Sequence, residues 1–136
     1  MDLKLQGKRV LVTGGSKGIG LAVAQRFLDE GAQVIIVSRS EHNLEQARKA
    51  LGVGDDRLRT LIADLRDANQ AQQVVNAAAA QWGELDILVN SAGDAKRRLP
   101  EELDSAAWHP ALDAKYFTYI HTQDAVLARW CNSETR

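Results

Sequence analysis

Several things are scarce in this sequence, and each scarcity closes off a class of protein. A single cysteine, Cys131, stands among 136 residues, so the chain has no intramolecular disulfide and is not a disulfide-stapled scaffold. Charge of one sign is missing too: 17 basic side chains face 18 acidic ones for a formal net charge of −1. No overall positive field exists to hold a nucleic-acid backbone, so local basic groups must carry any phosphate binding. No apolar run approaches the roughly 18 residues of a membrane span, and the longest are strand-sized. The opening MDLKLQGKRV lacks the apolar core of a signal peptide. The expectation is a soluble chain in a reducing cytoplasm, with neither a membrane nor a nucleic acid as partner. His42, His109 and His121 lie too far apart for a metal pair, so they read as structural or surface residues and no metal site is expected. Repeats, low-complexity tracts and linkers are absent.

What remains is a chain that is 45% hydrophobic, enough to bury a core, at the length of one domain. One domain over residues 1–136 is expected, with 131–136 as a disordered or atypical tail. Strand and helix signals alternate, which favours a sheet covered by helices. Arg9 to Thr13 is a short apolar run before a glycine-rich turn. From about Lys17 to Glu30, Ile19, Val23 and Phe27 recur every four residues beside Ala24 and Leu28, predicting one buried helical face that stops at Gly31. A strand follows at Gln33 to Val37. Ser40 caps a helix carrying Leu44, Ala47 and Leu51, which ends in Gly52 to Asp56 before a third strand near Arg59 to Ala63. After a cap at Asp67, Ala71, Val74, Val75, Ala78, Ala79 and Trp82 share one helical face that Gly83 ends. Asp86 to Asn90 is a fourth strand, apolar enough to be covered on both faces. A polar, basic loop, Ser91 to Glu102, leads to a last helix from near Ser105 to Trp130. There Pro110 is tolerable only in the first turn or at a kink.

The chemistry concentrates in TGGSKGIG, residues 13–20, which sets glycines at 14, 15, 18 and 20 between a strand and a helix. A dinucleotide pyrophosphate needs a tight turn, a backbone free of Cβ interference and a helix N-terminus whose N–H groups face the anion. Gly14, Gly18 and Gly20 meet those needs. TGGSKGIG is not G-x-G-x-x-G, and it is not a P-loop, which would require a Lys followed by Ser or Thr after its last glycine. The bland alternative is a convenient strand-to-helix turn.

TGGSKGIG resembles the T-G-x-x-x-G-x-G signature of the short-chain dehydrogenase/reductase family. Asp64 and Leu65 resemble that family's adenine-contacting pair, and NSAG, residues 90–93, resembles its N-N-A-G with one substitution. The likeness runs through WGELDILVNSAG to about Trp130. It implies an α/β, Rossmann-like doubly wound parallel sheet with strand order 3-2-1-4, truncated relative to the family. It also implies a cofactor site built from Gly14, Ser16, Lys17, Gly18, Ile19, Gly20, Ser38, Arg39, Ser40, Asp64, Leu65, Asn90, Ala92 and Gly93. Cofactor choice follows from charge at the end of the second strand, where a carboxylate would bind a ribose 2′-hydroxyl and repel a 2′-phosphate. Here stand Ser38, Arg39 and Ser40, with Lys17 nearby in the glycine turn, so NADP(H) is expected over NAD(H).

The family's chemistry also implies a serine and a Tyr-x-x-x-Lys motif. Neither is found: Ile120 follows Tyr116 by four, Gln123 follows Tyr119 by four, and Ser133 sits in a polar tail. Lys115 replaces the family's asparagine in the last helix. Its catalytic role is left open, and the basic loop residues Lys96, Arg97 and Arg98 give only a weak hint of a substrate side. The reading is the cofactor-binding portion of an NADP(H)-dependent oxidoreductase of this type, acting, if an enzyme, on a small carbonyl or alcohol. The alternative is a non-catalytic nucleotide-binding or assembly module. A phospho-receiver using Asp64 leaves the glycines unexplained. With the fourth strand at an open edge beside apolar helix faces, a homo-oligomer is expected.

Overall fold

The structure is a computed structural model that describes residues 1–93 and 98–132. Strand β1 (Arg9–Thr13) leads through the glycine turn into helix α1 (Gly18–Asp29), then β2 (Gln33–Ser38), α2 (Glu41–Leu51), β3 (Leu58–Ile62), α3 (Ala68–Trp82) and β4 (Ile87–Asn90). A short 3₁₀ turn, Pro100–Glu102, precedes α4 (Ser105–Leu112), a π-helical turn (Asp113–Phe117) and α5 (Thr118–Cys131). All strand pairs are parallel, in the order β3-β2-β1-β4, as the resemblance implied.

Alternation along the strands builds two cores. Val10, Val12, Val34 and Ile36 meet Ala24 and Leu28 of α1 and Leu44, Ala47 and Leu51 of α2 on one face. Leu11, Ile35 and Val37 meet Ala71, Val74, Val75 and Ala78 of α3 and Ala125 and Val126 of α5 on the other. Helices on both faces of a parallel sheet make the fold doubly wound. Two caps are where the sequence placed them: Ser40 Oγ accepts from the Asn43 N–H at 3.2 Å and Asp67 Oδ1 from the Asn69 N–H at 2.8 Å.

Three expectations need correction. The buried face of α1 is Gly20, Ala24 and Leu28, whereas Ile19 is 79% exposed and Val23 and Phe27 are half-buried. Ala24 and Leu28 are buried as expected, and Gly20 lets the helix start close against the glycine turn, while the apolar Ile19–Val23–Phe27 stripe lines a groove shared with Leu3 and Leu5. β4 packs against both cores, Leu88 on one face and Ile87 and Val89 on the other, but it is only half-buried throughout, because among the described residues it pairs with β1 alone and forms one edge of the sheet. The last helix is interrupted rather than continuous. Pro110 lies beyond the first turn of α4, three residues before the π-helical stretch. Proline supplies no N–H to the helical ladder, and a proline and a π turn are each places where a helix bends. Thr118 Oγ1 donates to the Lys115 carbonyl at 3.0 Å, satisfying an oxygen in that turn.

Candidate functional site

Strand order reverses at β1, whose neighbours are β2 on one side and β4 on the other. In an open α/β sheet a crevice forms outside the carboxyl ends of the strands at such a point. Here it is a cleft of about 550 Å³, a size suited to a small-molecule ligand.

Thr13 ends β1 fully buried and organises the rim. Its Oγ1 accepts from the backbone N–H groups of Ser91 and Ala92 at 3.1 and 3.2 Å and donates to the Val89 carbonyl at 3.4 Å. The loop leaving β4 is thereby held against Gly14. Gly14 adopts φ +64°, and a Cβ there would sit 2.8 Å from the Ala92 backbone and the Ser91 carbonyl oxygen. Only glycine tolerates both the conformation and the contact. At Gly20 a Cβ would fall 2.2 Å from the Gly14 carbonyl oxygen, so the glycine turn and α1 pack backbone to backbone. α1 has no side-chain cap at Lys17, whereas α2, α3 and α4 are capped by Ser40, Asp67 and Asp104. Its first-turn N–H groups remain available at the cleft, and open space lies beyond Gly18. An oligophosphate fits that arrangement: orphan donors, a positive helix end and no Cβ in the way.

Of the residues assigned from the sequence, Gly14, Ser16, Lys17, Gly18, Ile19, Ser38, Arg39, Asp64, Leu65, Ala92 and Gly93 line this one cleft. Gly20 acts one layer behind it as the contact described above. Ser40 is outside the lining and spends its hydroxyl oxygen on the α2 cap. Asn90 is also outside it, its buried Oδ1 without a partner among the described residues. Lys115 is exposed in the π turn, and its Cγ and Cδ would lie 3.7 Å from a Cβ on Gly93, so its stem borders the end of NSAG. Ala114 and Thr118, on either side of it, line the cleft. His42 and His109 are exposed, while His121 Nδ1 stands 2.9 Å from the Leu65 carbonyl, which can only accept, so that nitrogen carries the proton. Arg98 is exposed; Lys96, Arg97 and Ser133 lie outside the described residues, as does the tail beyond Asn132.

Sequence reasoning missed Asn43, Arg66, Ala114 and Thr118 in the lining, and it missed the part played by the Thr13 hydroxyl. Arg66 grips the Asp64 carboxylate at both oxygens, Nε to Oδ1 at 3.0 Å and Nη2 to Oδ2 at 2.6 Å, and its backbone N–H adds a bond to Oδ1 at 3.0 Å. The Arg66 side-chain bond, acting against burial and aided by the charges of Arg66 and Arg39, holds the Asp64 carboxyl below the usual 3.8. Asp64 is the one carboxylate among the lining residues described, and its charge is already engaged.

Fold and site together define a Rossmann-like protein whose glycine turn and switch-point crevice form the ligand site. The sequence pattern of short chain dehydrogenases matches residues 8–135, and the chain belongs to that family. It is 38% identical over 111 residues to a D-threitol dehydrogenase of Mycolicibacterium smegmatis, covering 82% of this chain and 43% of that protein. It is 35% identical over 112 residues to an NADP-dependent (R)-specific alcohol dehydrogenase of Lentilactobacillus kefiri, covering 82% and 44%. Among solved structures, a short chain dehydrogenase from Bacillus anthracis superposes with a TM-score of 0.87 at 28% identity, over 93% of this chain and 51% of that one. The chain thus spans about half the length of the proteins it matches.

Proposed function

We propose that this chain binds NADP(H) in the switch-point cleft, as the cofactor-binding portion of an oxidoreductase acting on a small carbonyl or alcohol. The observation that carries the choice of cofactor is the end of β2. Ser38 and Arg39 line the cleft there, Lys17 of the glycine turn lines it too, and neither β2-end residue is a carboxylate that would hold a ribose 2′-hydroxyl. A guanidinium offers paired, charge-assisted donors to a phosphate. The similarity to an NADP-dependent alcohol dehydrogenase supports the same reading. A bound nicotinamide would supply the hydride chemistry. On this reading the first turn of α1 would take the pyrophosphate, Asp64 and Leu65 would border the base, and Ala92 and Gly93, beside the Lys115 stem, would border the reactive end.

A second reading is a non-catalytic nucleotide-binding or assembly module, which would bind the cofactor without turning it over. Titration of the purified chain with NADPH and NADH, followed by cofactor fluorescence, tests the binding. NADPH is expected to bind at least about tenfold tighter, a difference of about 1.4 kcal/mol, and Arg39→Ala to remove most of that margin. Equal affinity for the two cofactors would sink the NADP(H) reading. NADPH consumption against a panel of aldehydes and ketones then separates the two functions, since turnover above background rules out the module.

A further inference from the structure

The cleft has a lining residue that neither the family pattern nor the glycine motif explains. Asn43 is the third residue of α2, half-buried, and lines the same cleft as Ser38 and Arg39. Its backbone is pinned on both sides: its N–H donates to Ser40 Oγ at 3.2 Å, and the next residue, Leu44, is buried in the core at 2% exposure. The turn before it is fixed as well, since Ser38 Oγ accepts from the Ser40 N–H at 3.3 Å. Among the described residues the Asn43 carboxamide itself makes no hydrogen bond. Glu41 and His42, its neighbours in the first turn, are exposed and outside the lining.

Lys17 and Arg39 are also exposed. Long side chains that free lose rotamer entropy when they close on a ligand. A short carboxamide on a clamped helical turn gives up much less, and it sits at the positive end of α2. We propose that Asn43 is a specificity-determining residue of the cofactor site, donating its amide N–H to the phosphate group that distinguishes NADP(H) from NAD(H). This rests on the NADP(H) reading. Arg39 and Lys17 supply charge; Asn43 supplies a fixed direction.

Two variants test it. Asn43→Ala removes the donor, and Asn43→Asp keeps size and shape while placing a negative charge where the phosphate would lie. Aspartate suits the first turn of a helix, so the fold is retained, as an unchanged melting curve would verify. Affinities are measured for NADPH and NADH, and for the smaller probes 2′,5′-ADP and 5′-AMP, by fluorescence or calorimetry on the full chain. Asn43→Ala is expected to weaken NADPH and 2′,5′-ADP about tenfold, as for loss of a hydrogen bond to a charged group, and to leave NADH and 5′-AMP within about twofold. Asn43→Asp is expected to invert the preference toward NADH, because its carboxylate accepts from a 2′-hydroxyl and repels a phosphate. If wild type prefers NADPH, Arg39→Ala erases the preference and both Asn43 variants keep it, the assignment of Asn43 alone is overturned. If wild type shows no preference, the NADP(H) reading and this assignment fall together.

Discussion

The most informative side chains are those whose polar atoms are fully committed. Thr13 takes two N–H donors and gives one bond, so it determines where the β4 loop sits relative to the glycine turn. Asp64 is committed to Arg66, which has a consequence for pH. A carboxylate whose folded pKa lies below 3.8 contributes stability that is fully present above that value. The contribution is lost as pH falls through the depressed one. Asp86 adds to the same window: burial pushes its carboxyl up, but the Arg9 N–H at 3.0 Å and the Arg9 guanidinium outweigh that and lower it. Urea denaturation between about pH 6 and about pH 2 should therefore show stability falling on acidification. Arg66→Gln should flatten part of that fall, and an unchanged slope in the variant would show that the Asp64–Arg66 pair contributes nothing.

At the scale of elements, α1 shows why close packing matters more than apolar area for placing a helix at a ligand site. Its buried face is Gly20, Ala24 and Leu28: Ala24 and Leu28 meet the sheet, and Gly20, with no side chain, lies against the glycine turn. Gly20→Ala sets two effects against each other. Helix propensity alone would make alanine more stable by about 1 kcal/mol. A Cβ at 2.2 Å from the Gly14 carbonyl oxygen demands a backbone shift costing about 1–3 kcal/mol. The steric term is expected to win, lowering the melting temperature and weakening dinucleotide binding together. A higher melting temperature would mean that α1 stands further from the turn than described.

For the whole molecule the surface that most favours association carries β4 and the last helices. β4 is the sheet's edge among the described residues, and Trp108, Leu112 and Tyr116, spaced four apart through α4 and the π turn, are 55%, 44% and 56% exposed. An open edge and an apolar helical face both favour association. Light scattering on the chain is expected to report a homo-oligomer, and Trp108→Glu with Leu112→Glu to shift it toward monomer. A wild-type monomer that unfolds cooperatively at high temperature would contradict this.

Much of this was legible in order along the chain. Local signals placed the strands, the Ser40 and Asp67 caps and the glycine turn, because strand alternation, side-chain capping and left-handed turns depend on neighbours a few residues apart. The match of Gly14, Lys17, Arg39, Asp64 and Gly93 to one cleft followed from topology, since parallel strands bring all their carboxyl ends to one edge. Three things needed the tertiary structure. Periodicity preferred the Ile19 stripe of α1 because hydrophobicity rewards large side chains, whereas the face that meets the sheet was chosen by how near the backbones come. Nothing near Pro110 in sequence announced a π turn that places Ala114 and Thr118 in the lining. Asn43 and Arg66 read as ordinary polar residues until the ends of β2 and β3 were side by side, because a side chain's partner across a cleft is decided by folding and not by its neighbours in the chain.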